Sequence, residues 1–221
     1  MTKAIIFDLD GVIVDTEPLN KICLREFLKT LGVNEPYTLD SNIQGLNTST
    51  YWTAIKNIYG IDLTVEELVS RWRPTYLAYL ESLDQIPVIP GIPEFIEYLV
   101  KSNYKIAIGS SANPKRIELI LDRIQLEHTF SVIVHGDDVV NSKPAPDCFL
   151  IVAERLDIDP GHCIVIEDST NGIKAAKAAN MRCIAYGGSD HNEDDQSEAD
   201  IVINDFSELV SSLQDGKPFP V

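Results

Sequence analysis

Positive charge is scarce in this chain. Its 221 residues carry 18 Lys and Arg against 34 Asp and Glu, a formal net charge of −16. A nucleic-acid binder needs clustered Lys and Arg to meet the phosphate backbone, so that class of partner is excluded. An anionic membrane surface is disfavoured for the same reason. A small anionic ligand is not excluded, provided a metal or a local cation neutralises it. Cysteine is sparse too. Cys23, Cys148, Cys163 and Cys183 stand far apart, with no CxxC and no His at zinc-finger spacing. That pattern predicts buried, reduced thiols and, with them, a cytoplasmic location. Long hydrophobic runs are missing. No stretch is long enough to span a bilayer. The apolar start is interrupted at once by Asp8 and Asp10, which fits no signal peptide. Internal repeats and low-complexity tracts are absent as well.

What remains is ordinary globular composition, 44% hydrophobic and 24% charged. The length suits one large domain, or one domain carrying a smaller insertion. Short, continuously apolar, β-branched runs predict strands buried on both faces. They are Ala4–Phe7, Lys105–Ile108, Val132–Val134, Cys163–Ile166, Arg182–Ala185 and Asp200–Ile203. Helical spacing lies between them, most clearly over Glu94–Lys101, Lys115–Ile124, Asp147–Leu156 and Ile173–Ala179. Alternating strands and helices predict an α/β fold with a Rossmann-like parallel sheet. The alternation fails after the first strand. Lys21–Leu31, Tyr51–Tyr59 and Val65–Leu83 are helical in period, with Gly32 and Gly60 as stops. An all-helical cap of residues 17–85 is therefore expected, inserted into a core of residues 1–16 and 86–221. Pro18 and the Pro87 to Pro93 stretch mark its hinges. Asp190–Asp200 reads as a solvated acidic turn and Asp215–Pro218 as a frayed tail.

Chemistry-bearing residues cluster just after the strands. Asp8 and Asp10 leave the first strand at its C-terminal end, the edge where open α/β sheets bind ligands. Strand alternation would point both the same way; a turn at Gly11 would instead set them around one centre. Glu167 and Asp168 follow another strand. Oxygen-only ligands select a hard cation, and Mg²⁺ suits carboxylates, water and phosphate. The plain alternative is that each acid caps the next helix. Ser110 and Ser111 follow a third strand, where a hydroxyl and helix-start N–H groups make an anion site, or where Ser111 or Asn113 simply caps. Lys143 sits in a loop stiffened by Pro144 and Pro146. Aimed at the acids, it would balance a nucleophile and a transferring phosphoryl group.

These pieces, in this order, resemble the haloacid dehalogenase superfamily over nearly the whole chain. Asp8-Leu9-Asp10-Gly11-Val12 looks like its first motif, Ser110 the second, Lys143 the third and Glu167-Asp168 the fourth. The inserted helices are similar to the small-cap subgroup, which includes β-phosphoglucomutase and sugar-phosphate phosphatases. The resemblance implies Asp8 as nucleophile and Asp10 as general acid/base, whose main-chain carbonyl also binds Mg²⁺. It implies Asp8 and Asp168 as metal ligands, with Glu167 acting directly or through water, and Ser110, Ser111 and Lys143 on the phosphoryl oxygens. Two positions depart from the mutases. Asn20 stands where they often carry His, and the loop Gln44–Thr50 holds no Arg or Lys for a second phosphate. Asn20, Asn47 and Thr48 suit hydroxyl recognition, and with Gly45 they are the candidate substrate contacts of the cap. Arg71 and Arg73 read as solvated helix charges. The expectation is a monomeric, Mg²⁺-dependent phosphatase of a small phosphorylated metabolite, with β-phosphoglucomutase second and a non-catalytic phosphometabolite sensor third.

Overall fold

The structure is a computed structural model and describes residues 2–33, 48–188 and 194–221. Six strands form one sheet: β1 (Ala4–Phe7), β2 (Lys105–Gly109), β3 (Val132–Val134), β4 (Cys163–Glu167), β5 (Arg182–Tyr186) and β6 (Ile201–Ile203). Their order is β3-β2-β1-β4-β5-β6, and every pairing is parallel. The expected α/β core with its inserted helices is what the chain forms. Alternation of period two divides the sheet's side chains between two layers. Ile5, Phe7, Ile106, Ile108, Ile164 and Ile166 face one layer, built by α4 (Ile92–Lys101), α5 (Pro114–Arg123) and α8 (Phe206–Gln214). Ala4, Ile6, Ala107, Cys163 and Val165 face the other, built by α6 (Asp147–Leu156) and α7 (Thr170–Ala178). All four cysteines are free and buried. Among the described residues no helix is long and apolar enough to cross a membrane.

The inserted helices are α1 (Glu17–Thr30), α2 (Thr48–Tyr59) and α3 (Val65–Ser82). The first begins about a turn before the predicted Lys21, because Pro18 falls within its first turn, where a missing N–H costs nothing. An aromatic cluster holds the three together. Phe27 meets Trp52 and Trp72 edge-on at 5.8 and 5.4 Å, and Trp72 stacks on Tyr76 at 5.1 Å. The two connections to the sheet run side by side. Asp15 N donates to Pro87 O and Ile89 N to Ile13 O, both at 2.9 Å, so the segments around Val14 and Val88 pair antiparallel.

The C-terminal end goes beyond the sequence reading. Helix α8 was not anticipated, although Phe206, Leu209, Val210 and Leu213 have helical spacing and are buried, and Asp205 caps Ser207 N at 2.7 Å. Asp215–Pro218 is exposed, but the chain docks again after it. Phe219 packs edge-on against Tyr104 at 5.5 Å, and Arg182 Nη1 donates to Val221 O at 2.7 Å. Removing this ring leaves a cavity at the foot of α4 and α8. We expect Phe219→Ala to lower the unfolding free energy by about 3 kcal/mol, read from urea titrations at constant m-value. A change under about 0.5 kcal/mol would mean that the tail does not contribute to the core.

Candidate active site

β1 lies at the centre, with β2 and β4 as its neighbours and Phe7 level with both Ile108 and Ile166. The residues that follow these strands therefore emerge side by side. Asp8, Asp10, Ser110, Ser111, Lys143, Glu167 and Asp168 all line one cleft at this edge. The chain turns sharply after Asp8, with Gly11 N donating to Val14 O at 2.8 Å and Ile13 N to Leu9 O at 3.0 Å. Gly11 has φ +78°, and a Cβ there would lie 2.0 Å from Asp168 Oδ2. Only glycine gives both the left-handed backbone and the space for that carboxylate. Of the two alternatives, then, the turn is real.

Lys143 is the hub. Its Nζ donates to Asp8 Oδ1 at 2.5 Å, to Glu167 Oε1 at 2.7 Å and to Gly109 O at 3.1 Å, and stands 4.7 Å from the centre of the Phe149 ring. All three ammonium donors are used. Burial opposes its charge, but Asp8 and Glu167 outweigh burial and hold the pKa above its ordinary value. Burial, and then the charges of Glu167 and Asp10, push Asp8 up to about 7 against the pull of Lys143. Burial and the neighbouring carboxylates of Glu167, Asp8 and Asp194 raise Asp168 as well. Glu167 is engaged on both oxygens. Its Oε2 accepts from Asp168 N and Ser169 N at 2.8 Å and from Ser169 Oγ at 3.0 Å. Ser110 Oγ accepts from Ala112 N at 3.1 Å, which aims the loop that starts α5.

The haloacid dehalogenase-like hydrolase family model matches residues 5–186. The chain belongs to this family. Relatives of this hydrolase include a phosphorylated carbohydrates phosphatase from Thermotoga maritima, 34% identical over 84% of this chain and 84% of that protein. A β-phosphoglucomutase from Bacillus subtilis is 29% identical over 96% of this chain and 93% of its own. In structure it is similar to CbbY from Rhodobacter sphaeroides solved with xylulose-1,5-bisphosphate, with a TM-score of 0.82, 26% identity and coverage of 95% and 96% of the two chains. The enzyme class is phosphoric monoester hydrolase of the haloacid dehalogenase type, within a family that also spans mutases.

The cap positions divide. Asn20 sits half-buried on α1, but the α1 residue that lines the cleft is Glu17. Gly45 and Asn47 lie outside the described residues, and Thr48 begins α2. Arg73 is an exposed helix charge, as expected, and pairs at the surface with Asp137 at 3.1 Å, between α3 and the loop after β3. Of the acidic turn, residues 190–193 lie outside the described residues and most of the rest is exposed, but two of its side chains face the site. Asp194 lines the cleft and caps Thr170 N at 2.9 Å, while Gln196 bridges Asp168 O and Tyr186 O. Thr16 and Arg116, both bonded to Asp10, were missed. Arg116 lies in the first turn of the helix after β2, and that position is the one signal that could have found it.

The residues present fit a hard dication. The donors are carboxylate oxygens, they are buried together with raised proton affinity, and Gly11 clears space for one of them. Among the described residues no three acidic, His or Cys side chains close around one point. Water or ligand oxygen would have to complete the shell of such an ion.

Proposed function

We propose that this hydrolase is a Mg²⁺-dependent phosphatase that removes phosphate from a small phosphorylated metabolite, a sugar phosphate, by way of an aspartyl-phosphate on Asp8. One observation carries the reading: the Asp8 carboxylate opens onto the cleft with Lys143 against its Oδ1 and Asp168 and Ser110 beside it. Asp8 and Asp168 would hold the metal with the Asp10 carbonyl, and Glu167, already engaged by Lys143 and Ser169, would act through water. When bound, Mg²⁺ supplies charge neutralisation at the phosphoryl oxygens.

In the first half-reaction the Asp8 carboxylate attacks phosphorus, the bond from phosphorus to the leaving oxygen breaks, and Asp10 delivers its proton to that oxygen. In the second, Asp10 takes a proton from water, the hydroxide attacks phosphorus, and the Asp8–phosphorus bond breaks to release inorganic phosphate. Ser110 and Ser111 would hold the transferring oxygens, joined by Lys143 once it exchanges one of its three present acceptors for phosphate, so most of the catalysis is positioning and charge balance. We propose residues 17–85 as the cap that covers the substrate and excludes water.

A mutase must hold a second phosphate. Arg73 is not among the residues lining the cleft and pairs with Asp137 at the surface, while Glu17 and Asp194 put negative charge on the cleft wall. These features, with Asn20 and the cation-free loop, favour a neutral, hydroxyl-bearing leaving group over a phosphorylated one. The test is phosphate release with Mg²⁺ across sugar phosphates, glycolate phosphate and nucleotides, with β-glucose 1-phosphate followed for glucose 6-phosphate. Phosphate released from a sugar phosphate without isomer is the expected result. Isomer without phosphate would establish the mutase, and a ligand response that survives Asp10→Asn without turnover would establish a sensor.

A further inference from the structure

Both oxygens of Asp10 are occupied. Thr16 Oγ1 donates to Oδ1, and Arg116 Nη2 donates to Oδ2. Arg116 comes from a different element, the helix that follows β2. It lies in the first turn of α5, where Asn113 Oδ1 accepts from Arg116 N at 3.1 Å and fixes the backbone. Its guanidinium carbon lies 5.6 Å from the centre of the Tyr76 ring on α3. The Tyr76 hydroxyl in turn donates to Thr16 O at 3.4 Å. Asp10, Arg116, Tyr76 and Thr16 thus close a ring that joins the β1 loop, the core helix α5 and the inserted helix α3. The Arg116 side chain is 21% exposed and that of Asp10 29%, so the pair is partly shielded, and of the two Asp10 lines the cleft.

The two donors differ in what they can do. A guanidinium only donates, so it must always face an oxygen that accepts. A hydroxyl donates or accepts, and turns to suit its partner. Oδ2 is therefore the anchored oxygen and Oδ1 the one that can exchange a proton, with Thr16 turning as it does so.

We propose that Arg116 is a positioning residue for leaving-group protonation. It pins Asp10 through Oδ2, against the Tyr76 ring, so that Oδ1 faces the leaving oxygen. The proton passes from Oδ1 to that oxygen as its bond to phosphorus breaks. Arg116 itself touches neither substrate nor phosphorus. The inference rests on the proposed acid/base role of Asp10. It also explains why a cation stands at the acid in a chain so poor in cations, without assigning it to a second phosphate.

The test compares an alkyl with an aryl leaving group. Sugar alkoxides need a proton to leave, whereas p-nitrophenolate does not. The parameter is kcat/KM, which reports steps up to the first irreversible one. For Arg116→Met we expect a loss of about 30-fold on the best sugar phosphate, mostly in kcat, with KM within about 3-fold. On p-nitrophenyl phosphate the loss should stay under about 3-fold, which also shows that the variant is folded. Arg116→Lys should recover part of the activity. Asp10→Asn should show the same selectivity at larger size, and Arg116→Met added to it should cost less than about 2-fold more. Equal losses on both substrates, or a loss confined to KM, would overturn the inference and make Arg116 a substrate contact or a purely structural residue. Equal losses in Asp10→Asn itself would instead remove the acid role of Asp10, a failure of the earlier reading.

Discussion

Asp8→Asn is expected to leave a folded protein whose turnover falls by at least about 10⁴-fold, since an amide cannot attack phosphorus. The substitution keeps the shape of the side chain and an oxygen that can accept from Lys143 Nζ. Its effect on stability has a definite sign. In the metal-free protein the Asp8 carboxyl is pushed up to about 7, chiefly by burial, against an ordinary value of 3.8. Between those two values the unfolded chain binds fewer protons than the native one, so this group makes stability fall as pH rises. Asn does not titrate. In chelator, Asp8→Asn should therefore match wild type near pH 4 and gain on it progressively towards pH 8, as urea midpoints will show. A variant that turns over at wild-type rates would sink the covalent mechanism. One that loses stability relative to wild type as pH rises would sink the account of the buried charge.

Metal removal is the second large effect. With chelator, activity should drop to background, and Mg²⁺ should restore it while Ca²⁺ restores little. Ca²⁺ takes more ligands at longer distances, which displaces the phosphoryl group from Asp8. The ligands must ionise to bind, so binding should release protons below about pH 7, and the apparent affinity should climb with pH up to that point. Calorimetry in two buffers of different ionisation enthalpy measures the protons directly. Full activity in chelator, or binding without proton release at pH 6, would overturn the assignment.

The core of the site was legible because parallel strands force it. Once Ala4–Phe7, Lys105–Ile108 and Cys163–Ile166 are read as neighbouring buried strands, whatever follows them must meet at one edge. Asp8, Ser110 and Glu167 follow from that alone. Lys143 needed the resemblance, since nothing in its loop's composition says that it points inward and fills all three donors. Arg116 and Asp194 were invisible for another reason. Arg116 reaches Asp10, and Asp194 the cleft, from elements whose local patterns are fully explained without them, as a helix-start cation and as a polar turn. α8 has a clear period but follows the last strand, where the alternation of strand and helix no longer requires another helix. The cap's substrate-facing positions were the least legible: polar residues there carry no periodicity, and their partners are set by tertiary packing.

The paired connections around Val14 and Val88 have a consequence for how such an enzyme can change. Entry and exit of the helical insert are held together by two backbone hydrogen bonds at 2.9 Å, independent of side-chain identity. The sheet therefore sees the insert as a loop already closed at its base, and the closure cost grows only slowly with what is placed above it. Helices can be lengthened, exchanged or recombined at that junction without disturbing the register of β1. On the proposed function, selectivity and bond-breaking chemistry would then sit on parts that can be exchanged, provided the contacts of Tyr76 with Arg116 and Thr16 are kept.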